Sequence, residues 1–163
     1  MKVVKKQNNS KMCIICGLYN DSGLKAPFYE LEDKRVATLF EYKDIHQSYP
    51  GRAHGGMISC MLDELAGRVI WTYEPDTLAV TSSLKLKFRK PVPYDVPLVG
   101  VGTLLINGKR GFTAKSEIFD QDGKLLAEGE AIYVKLPPSK ITDVDMVEQL
   151  DEYLPDDVKE INI

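Results

Sequence analysis

The segment from residue 57 to residue 73 constrains the fold more than any other part of the sequence. Its apolar residues recur in pairs every four positions, as in an α-helix, and they are Met57, Ile58, Met61, Leu62, Leu65, Ala66, Val69, Ile70 and Tyr73. At about 100° per residue, these positions cover a little over half of the helix circumference. A helix with so wide an apolar surface is enclosed by other elements. Pro75 predicts where this helix stops.

Segments with alternating apolar and polar residues flank the helix and predict the strands that enclose it. Residues 27–42 are typical of a hairpin, and four strand candidates follow the helix at 77–88, 97–106, 111–119 and 125–136. Two of the connections, Asn-Gly-Lys-Arg and Asp-Gln-Asp-Gly, are typical hairpin turns. The pattern predicts an α+β domain in which a curved antiparallel sheet of five to six strands wraps one long helix.

Length and composition limit the function classes. The 163 residues suffice for one domain. We divide the chain into a Cys-x-x-Cys segment at 1–26, the main domain at 27–136 and an acidic tail at 137–163 with a short helix. A net charge of −3 gives no reason to expect a nucleic acid, and no apolar run reaches the roughly 20 residues that span a membrane. Three cysteines and no apolar export signal predict a reduced, cytoplasmic protein.

Two adjacent acids, Asp63 and Glu64, lie inside the predicted helix at opposite margins of its apolar stripe. Exposure to solvent is their ordinary explanation. The His-Gly-Gly sequence at 54–56 favours a chemical one, because glycine permits close backbone approach and free amides of a first helical turn stabilise a carbonyl oxygen that gains negative charge. Such a turn, with one carboxylate that activates water, is a minimal apparatus for acyl hydrolysis.

The run HQSYPGRAHGGMISCMLDELAG, at residues 46–67, resembles the signature of hotdog-fold acyl-CoA thioesterases of the PaaI/THEM4-like group. The likeness extends from CIICGLYNDSGL near the start, through LKLKFRKPVP, to AEGEAIYVKL in the last predicted strand. It implies a hotdog fold, a long helix wrapped by a curved antiparallel sheet, in agreement with the periodicity. It also implies that an acyl-CoA is hydrolysed to the free acid and coenzyme A, with no cofactor.

The resemblance implies a role for each residue of the motif. The catalytic carboxylate of the family stands nine residues after the histidine of His-Gly-Gly, which makes it Asp63, as general base or nucleophile. The amide of Gly55, with Gly56 as the next candidate, would polarise the thioester carbonyl. A polar residue eighteen positions after the carboxylate, supplied by the partner subunit, helps to position water in some relatives, and here it is Thr81. Glu64 would be structural or exposed.

Further residues are candidates for substrate binding, and they are His46, Gln47, Ser48, His54, Arg89 and Lys90. Some relatives have an asparagine, which contacts the substrate carbonyl, where this chain has Ser48. For His54 we favour a structural role in holding the loop. Lys87, Arg89 and Lys90 would meet the phosphates of coenzyme A, although a solvated strand face explains any one of them equally well.

The resemblance also implies assembly, because hotdog domains dimerise side by side. We therefore expect a homodimer, or a homotetramer built from two dimers, with a site between Asp63 of one chain and Thr81 of the other. Residues 78–88 suit strand pairing with another subunit because they carry few charges before Lys85. Two other functions stay open. A hotdog dehydratase or hydratase would need a catalytic histidine paired with an acid, and a non-catalytic acyl-CoA-binding protein would have no need of Asp63.

The cysteines raise the question of a metal. Cys13 and Cys16 have the spacing of half a zinc site, but a structural zinc takes four ligands, and the sequence shows no second Cys-x-x-Cys motif and no nearby histidine pair. We therefore expect no metal, and two reduced thiols. Cys60 lies within the predicted helix, where we expect it to pack.

Overall fold

Seven antiparallel strands form one sheet around a long helix in the computed structural model, which describes residues 1–163 except for the side chain of Val147. The order of the strands in the sheet is β1-β2-β3-β5-β6-β7-β4. The strands are β1 (Val3–Lys6), β2 (Tyr29–Leu31), β3 (Val36–Phe40), β4 (Ala79–Phe88), β5 (Leu98–Asn107), β6 (Gly111–Phe119) and β7 (Leu125–Lys135). The helices are α1 (Gly55–Arg68) and α2 (Met146–Leu150), with short 3-10 segments at Asp44–His46, Val69–Thr72 and Pro138–Lys140.

The arrangement confirms the predicted α+β architecture, with one strand more than expected. The additional strand is β1, which pairs with β2 through Val3 and Leu31. Its four residues, two valines followed by two lysines, lack the alternation that identified the other strands. Residues 1–26 therefore contribute to the same sheet as the rest of the chain.

The apolar stripe of α1 faces the inside of the sheet, as its periodicity predicts. Met61, Leu62 and Leu65 are fully buried, and the backbone of α1 lies directly against β5. A Cβ atom at Gly102 on β5 would sit 2.5 Å from the carbonyl oxygen of Leu65, so only glycine permits this approach. The predicted helix continues beyond Arg68 as a 3-10 turn, in which the Thr72 hydroxyl donates to the Val69 carbonyl at 2.9 Å.

The two edges of the sheet differ. Beside β1 runs the C-terminal segment, where the amide of Val3 donates to the Lys159 carbonyl at 2.8 Å and the amide of Ile161 donates to the Met1 carbonyl at 2.9 Å. The other edge is β4, which pairs with β7 and has no strand on its far side among the described residues. An uncovered edge of ten residues is a template for another strand.

None of the helices in the described residues combines the length and the apolar character that a membrane crossing requires.

Candidate active site

The Asp63 carboxylate lies where α1, β4 and β7 meet, and two hydroxyl groups converge on it. The Thr81 hydroxyl donates to it, with Oγ1 2.9 Å from Oδ1 and 3.1 Å from Oδ2. The Tyr133 hydroxyl lies 2.8 Å from Oδ1 and 2.7 Å from the Asp63 carbonyl oxygen. Thr81 and Tyr133 are register partners across β4 and β7, so the pairing of these strands places both hydroxyls beside one carboxylate.

The resemblance led us to expect Thr81 of a partner subunit at Asp63, whereas in the structure Thr81 of the same chain contacts this carboxylate. The two residues of one chain meet because β4 pairs with β7 and β7 packs against α1. The register of β4 shifts between Thr81 and Ser83, which marks a β-bulge at this point of the edge strand. Bulges re-aim side chains beside functional sites, and this one lies next to the hydroxyl that contacts Asp63.

Tyr133 is a site residue that the sequence analysis missed. Gly67 makes room for it one helical turn after Asp63, since a Cβ atom at Gly67 would lie 3.3 Å from the Tyr133 ring. The ring stacks on Phe112 at a centroid distance of 4.7 Å and is buried, whereas its neighbours Ile132 and Val134 are exposed. A polar-tipped residue on the inner face, between two outward aliphatic residues, is the signal that could have found it.

The protonation of Tyr133 follows from its surroundings. Burial and the negative charge of Asp63 raise the pKa of the Tyr133 hydroxyl well above its usual range. Tyr133 therefore keeps its proton and remains a hydrogen-bond donor at any physiological pH. The carboxylate of Asp63 is thus oriented by two neutral donors, and Oδ2 carries only the longer of the two contacts with Thr81.

At the start of α1, the two candidate amides have different surroundings. The His54 imidazole caps the helix, with Nδ1 accepting the Gly56 N–H at 2.8 Å. The Gly56 N–H is therefore already bonded to the His54 ring, which agrees with the structural role predicted for His54. The Gly55 N–H donates to no acceptor among the described residues. Of the two candidate amides, Gly55 is the one that this turn leaves for a ligand.

A cleft of about 480 Å³ opens beside Gly55, and it brings together three of the predicted substrate residues. Ser48, Arg89 and Lys90 line it together with Gly55. Arg89 donates to Glu128 through Nε at 3.0 Å, and the guanidinium lowers the pKa of that carboxyl. Because Arg52 also lines it, the cleft is a basic pocket that includes Gly55.

The other predicted substrate residues lie in a separate cavity of about 310 Å³, which His46, Gln47 and His54 line. His46 is only 4% exposed, and both ring nitrogens are occupied. Its Nδ1 accepts the Lys43 amide at 2.9 Å, and its Nε2 lies 2.8 Å from the Ser22 carbonyl, to which it donates. The ring therefore holds the loop through both nitrogens, and the substrate-binding role of His46 stays a prediction.

Distance separates the two halves of the candidate site within one chain. Gly55 and Asp63 are eight residues apart on α1, which is about 12 Å along the helix axis at a rise of about 1.5 Å per residue. One carbonyl group cannot contact the Gly55 amide and water held by Asp63 of the same chain.

The second acid, Glu64, points elsewhere, as the helical positions predicted. Its Oε1 accepts from Nε of the buried Arg68 at 2.7 Å, and its Oε2 lies 3.8 Å from Sγ of Cys13. Glu64 therefore ties α1 to the N-terminal segment and takes no part in the cluster around Asp63. The Cys13 and Cys16 thiols face this carboxylate, and Cys60 is half-buried on the helix.

Comparison with known proteins identifies the family. The model of the thioesterase superfamily matches residues 50–127, which carry α1, Asp63 and Thr81. The acyl-coenzyme A thioesterase THEM4 of Rattus norvegicus is 28% identical over 116 residues, which are 71% of this chain and 49% of that protein. This chain therefore spans about half the length of that relative. A predicted esterase of Saccharolobus solfataricus is 32% identical over 98 residues, which are 60% of this chain and 69% of that protein.

Solved structures show the same fold. The crystal structure of a thioesterase superfamily protein superimposes with a TM-score of 0.68 at 24% identity, over 72% of this chain and 60% of that one. A Bacillus halodurans protein solved with CoA gives a TM-score of 0.60 at 24% identity, over 68% of this chain and 73% of that one. With its helix, its sheet and its sequence all matched, this chain has the hotdog fold and belongs to the thioesterase superfamily.

Proposed function

We propose that this protein is an acyl-CoA thioesterase, which hydrolyses its substrate to a free acid and coenzyme A. The observation that carries the proposal is the Asp63 carboxylate, held by the hydroxyls of Thr81 and Tyr133 at an open sheet edge. A carboxylate fixed by neutral donors is suited to accept a proton or to attack an acyl group. The family membership and the acyl-CoA activity named for the rat relative support the choice of substrate.

In the proposed reaction, Oδ2 of Asp63 takes a proton from water while the water oxygen bonds to the thioester carbonyl carbon. The amide of Gly55 donates to the carbonyl oxygen as it becomes an oxyanion. The carbon–sulfur bond then breaks, and sulfur leaves with the electron pair and receives the proton from Asp63. Direct attack by the carboxylate would instead form an anhydride that water opens, and the same residues serve that route.

The proposed site contains residues of two copies. The separation of about 12 Å along α1 means that Asp63 needs the Gly55 amide of another chain. Pairing of β4 with β4 of a second copy would cover the open edge and place that amide near Asp63. The outer sheet face carries Leu105, Ile106 and Ile132, each at least 47% exposed, which suits the pairing of two dimers into a tetramer.

The basic cleft is the proposed binding site for the phosphates of coenzyme A. Arg52 and Lys90 line it with Arg89, and neither Arg52 nor Lys90 has an ion pair with any residue that the structure describes. Their charges are therefore free for a phosphate. The structural neighbour solved with CoA supports coenzyme A as part of the proposed substrate. Three unpaired thiols suit a reducing compartment, so we place the protein in the cytoplasm.

The arrangement favours hydrolysis over hydration or dehydration. A hydratase needs a histidine paired with an acid, but among the described residues the rings of His46 and His54 bond only to backbone groups and not to a carboxylate. A non-catalytic binding protein would not need a carboxylate oriented by two hydroxyls. Thioester hydrolysis uses the groups that are present.

A panel of short, long and aromatic acyl-CoA substrates, assayed with a thiol-detecting reagent, tests the proposal. We expect release of coenzyme A thiol with at least one class, and saturation kinetics with that class. Binding of acyl-CoA by calorimetry without release of thiol from any substrate would show a binding protein instead.

Replacing Tyr133 with phenylalanine should lower kcat about tenfold, because it removes a hydrogen bond to a charged carboxylate, worth about 1.5 kcal/mol. The stack on Phe112 remains, so the fold should be retained. Tyr19→Phe is the matched control, since it removes a hydroxyl that contacts the Glu152 carboxylate in the tail. Equal kcat values for the Tyr133 and Tyr19 variants would show that the Tyr133 hydroxyl has no role in catalysis.

A further inference from the structure

Two thiols and one carboxylate from distant parts of the chain converge between the N-terminal segment and α1. The Sγ atoms of Cys13 and Cys16 and a carboxylate oxygen of Glu64 all lie within 4.8 Å of one another. We propose that these three residues form a binding site for a zinc ion. The expectation of no metal rested on a ligand set of two, and the fold supplies a third ligand from α1.

The turn that carries the cysteines directs polar groups at both sulfur atoms. The Cys13 sulfur accepts the amides of Ile15 at 3.3 Å and Cys16 at 3.5 Å. Gly17 closes the turn by donating to the Cys13 carbonyl at 2.8 Å, and a Cβ atom at Gly17 would sit 2.5 Å from that oxygen. The Ser10 hydroxyl lies 3.3 Å from the Cys16 sulfur. Two amides therefore donate to the Cys13 sulfur and a hydroxyl lies beside the Cys16 sulfur, and such second contacts orient a metal-binding thiol.

The third ligand is oriented by a buried cation. Arg68 Nε binds Oε1 of Glu64 at 2.7 Å, which leaves Oε2 turned toward Cys13 at 3.8 Å. Metal-binding carboxylates are commonly fixed in this way by a second hydrogen bond. Two thiolates and one carboxylate carry three negative charges, and the Arg68 guanidinium with a divalent cation balances them.

The spacing suits a tetrahedral ion. Ligand atoms at about 2.1–2.3 Å from a tetrahedral zinc lie about 3.4–3.8 Å from one another. The separation of 3.8 Å between the Cys13 sulfur and Oε2 of Glu64 is already at that value, so small side-chain rotations would close the set. Thiolates select soft or borderline metals, and the mixed sulfur and oxygen set favours zinc. Water would complete the four ligands.

Metal loading of the full-length protein tests the site. The reduced protein is incubated with zinc, desalted and analysed for metal, and cobalt is substituted to record the thiolate-to-cobalt absorption band. We expect one metal per chain for the wild type and for the control Cys60→Ser, whose thiol lies outside the cluster. Cys13→Ser and Cys16→Ser should each lose the metal and the band. Glu64→Gln, which can still accept from Arg68, should bind zinc at least about tenfold more weakly.

Thiol reactivity in the wild-type protein gives a readout that does not depend on variants folding. Bound zinc should protect two of the three thiols from alkylation, and a chelator should restore their reactivity. The proposal is overturned if the reduced protein retains no zinc and all its thiols react equally with and without metal. Zinc that remains at one per chain when Cys13 and Cys16 are both serine would show adventitious binding elsewhere. A Cys13–Cys16 disulfide that forms in air, with no metal bound after reduction, would show a redox pair instead.

Discussion

Replacing Asp63 with asparagine should lower kcat for acyl-CoA hydrolysis by at least about a hundredfold, the scale for loss of a general base or nucleophile. Asparagine keeps the size of the side chain and an oxygen that can accept from Thr81 and Tyr133. It cannot take a proton from water or attack the acyl carbon. The measurement is steady-state kinetics with the best substrate of the panel, together with the affinity for a non-hydrolysable acyl-CoA analogue.

The matched control for this change is Asp76→Asn, an exposed acid in the loop between α1 and β4. Its kcat should equal that of the wild type. The affinity of Asp63→Asn for the analogue should also stay near that of the wild type, because the basic cleft does not include Asp63. A variant of Asp63 that keeps a tenth or more of the wild-type kcat would show that the carboxylate is not the catalytic group.

The helix and the direction of its two acids could be predicted because both depend on local periodicity. The apolar stripe determined which face of α1 is buried, and the stripe margins placed Asp63 and Glu64 on different sides. In the structure, Asp63 faces Thr81 and Tyr133, whereas Glu64 faces Arg68 and Cys13. The resemblance then distinguished the two acids by the spacing from His-Gly-Gly.

The remaining parts of the site depend on strand register, which no local pattern determines. Tyr133 reaches Asp63, seventy residues earlier, only because β7 packs on α1 beside Gly67. The resemblance assigned Thr81 to the partner subunit, and the sequence alone does not show that β4 pairs with β7 of its own chain. The place of Glu64 beside the two cysteines was missed for the same reason, since fifty-one residues separate it from Cys13.

Replacing Gly55 with proline should lower kcat by about a hundredfold to a thousandfold, the range for removal of one oxyanion donor. Proline has no N–H, and the first position of a helix is where it is best tolerated. The preceding residue, His54, has φ −67° and ψ 136°, which proline favours in its neighbour. A Cβ atom at Gly55 would meet only the Phe88 ring, at 3.8 Å. Gly55→Ala is the matched control, because it adds the same Cβ atom and keeps the amide.

Mixing inactive variants then tests whether the site contains residues of two chains. In a mixed dimer of Asp63→Asn with Gly55→Pro, one site has Asp63, Thr81 and the partner's Gly55 intact, while the other has lost both groups. Random exchange of subunits should restore about a quarter of the wild-type activity, because half of the dimers are mixed and each has one good site. Asp63→Asn mixed with Thr81→Val should restore none, since the structure places these two residues in the same half-site. Recovery in the second mixture but not in the first would show that Thr81 acts from the partner subunit. A protein that is monomeric in sedimentation and active in the assay at the same concentration would exclude a shared site.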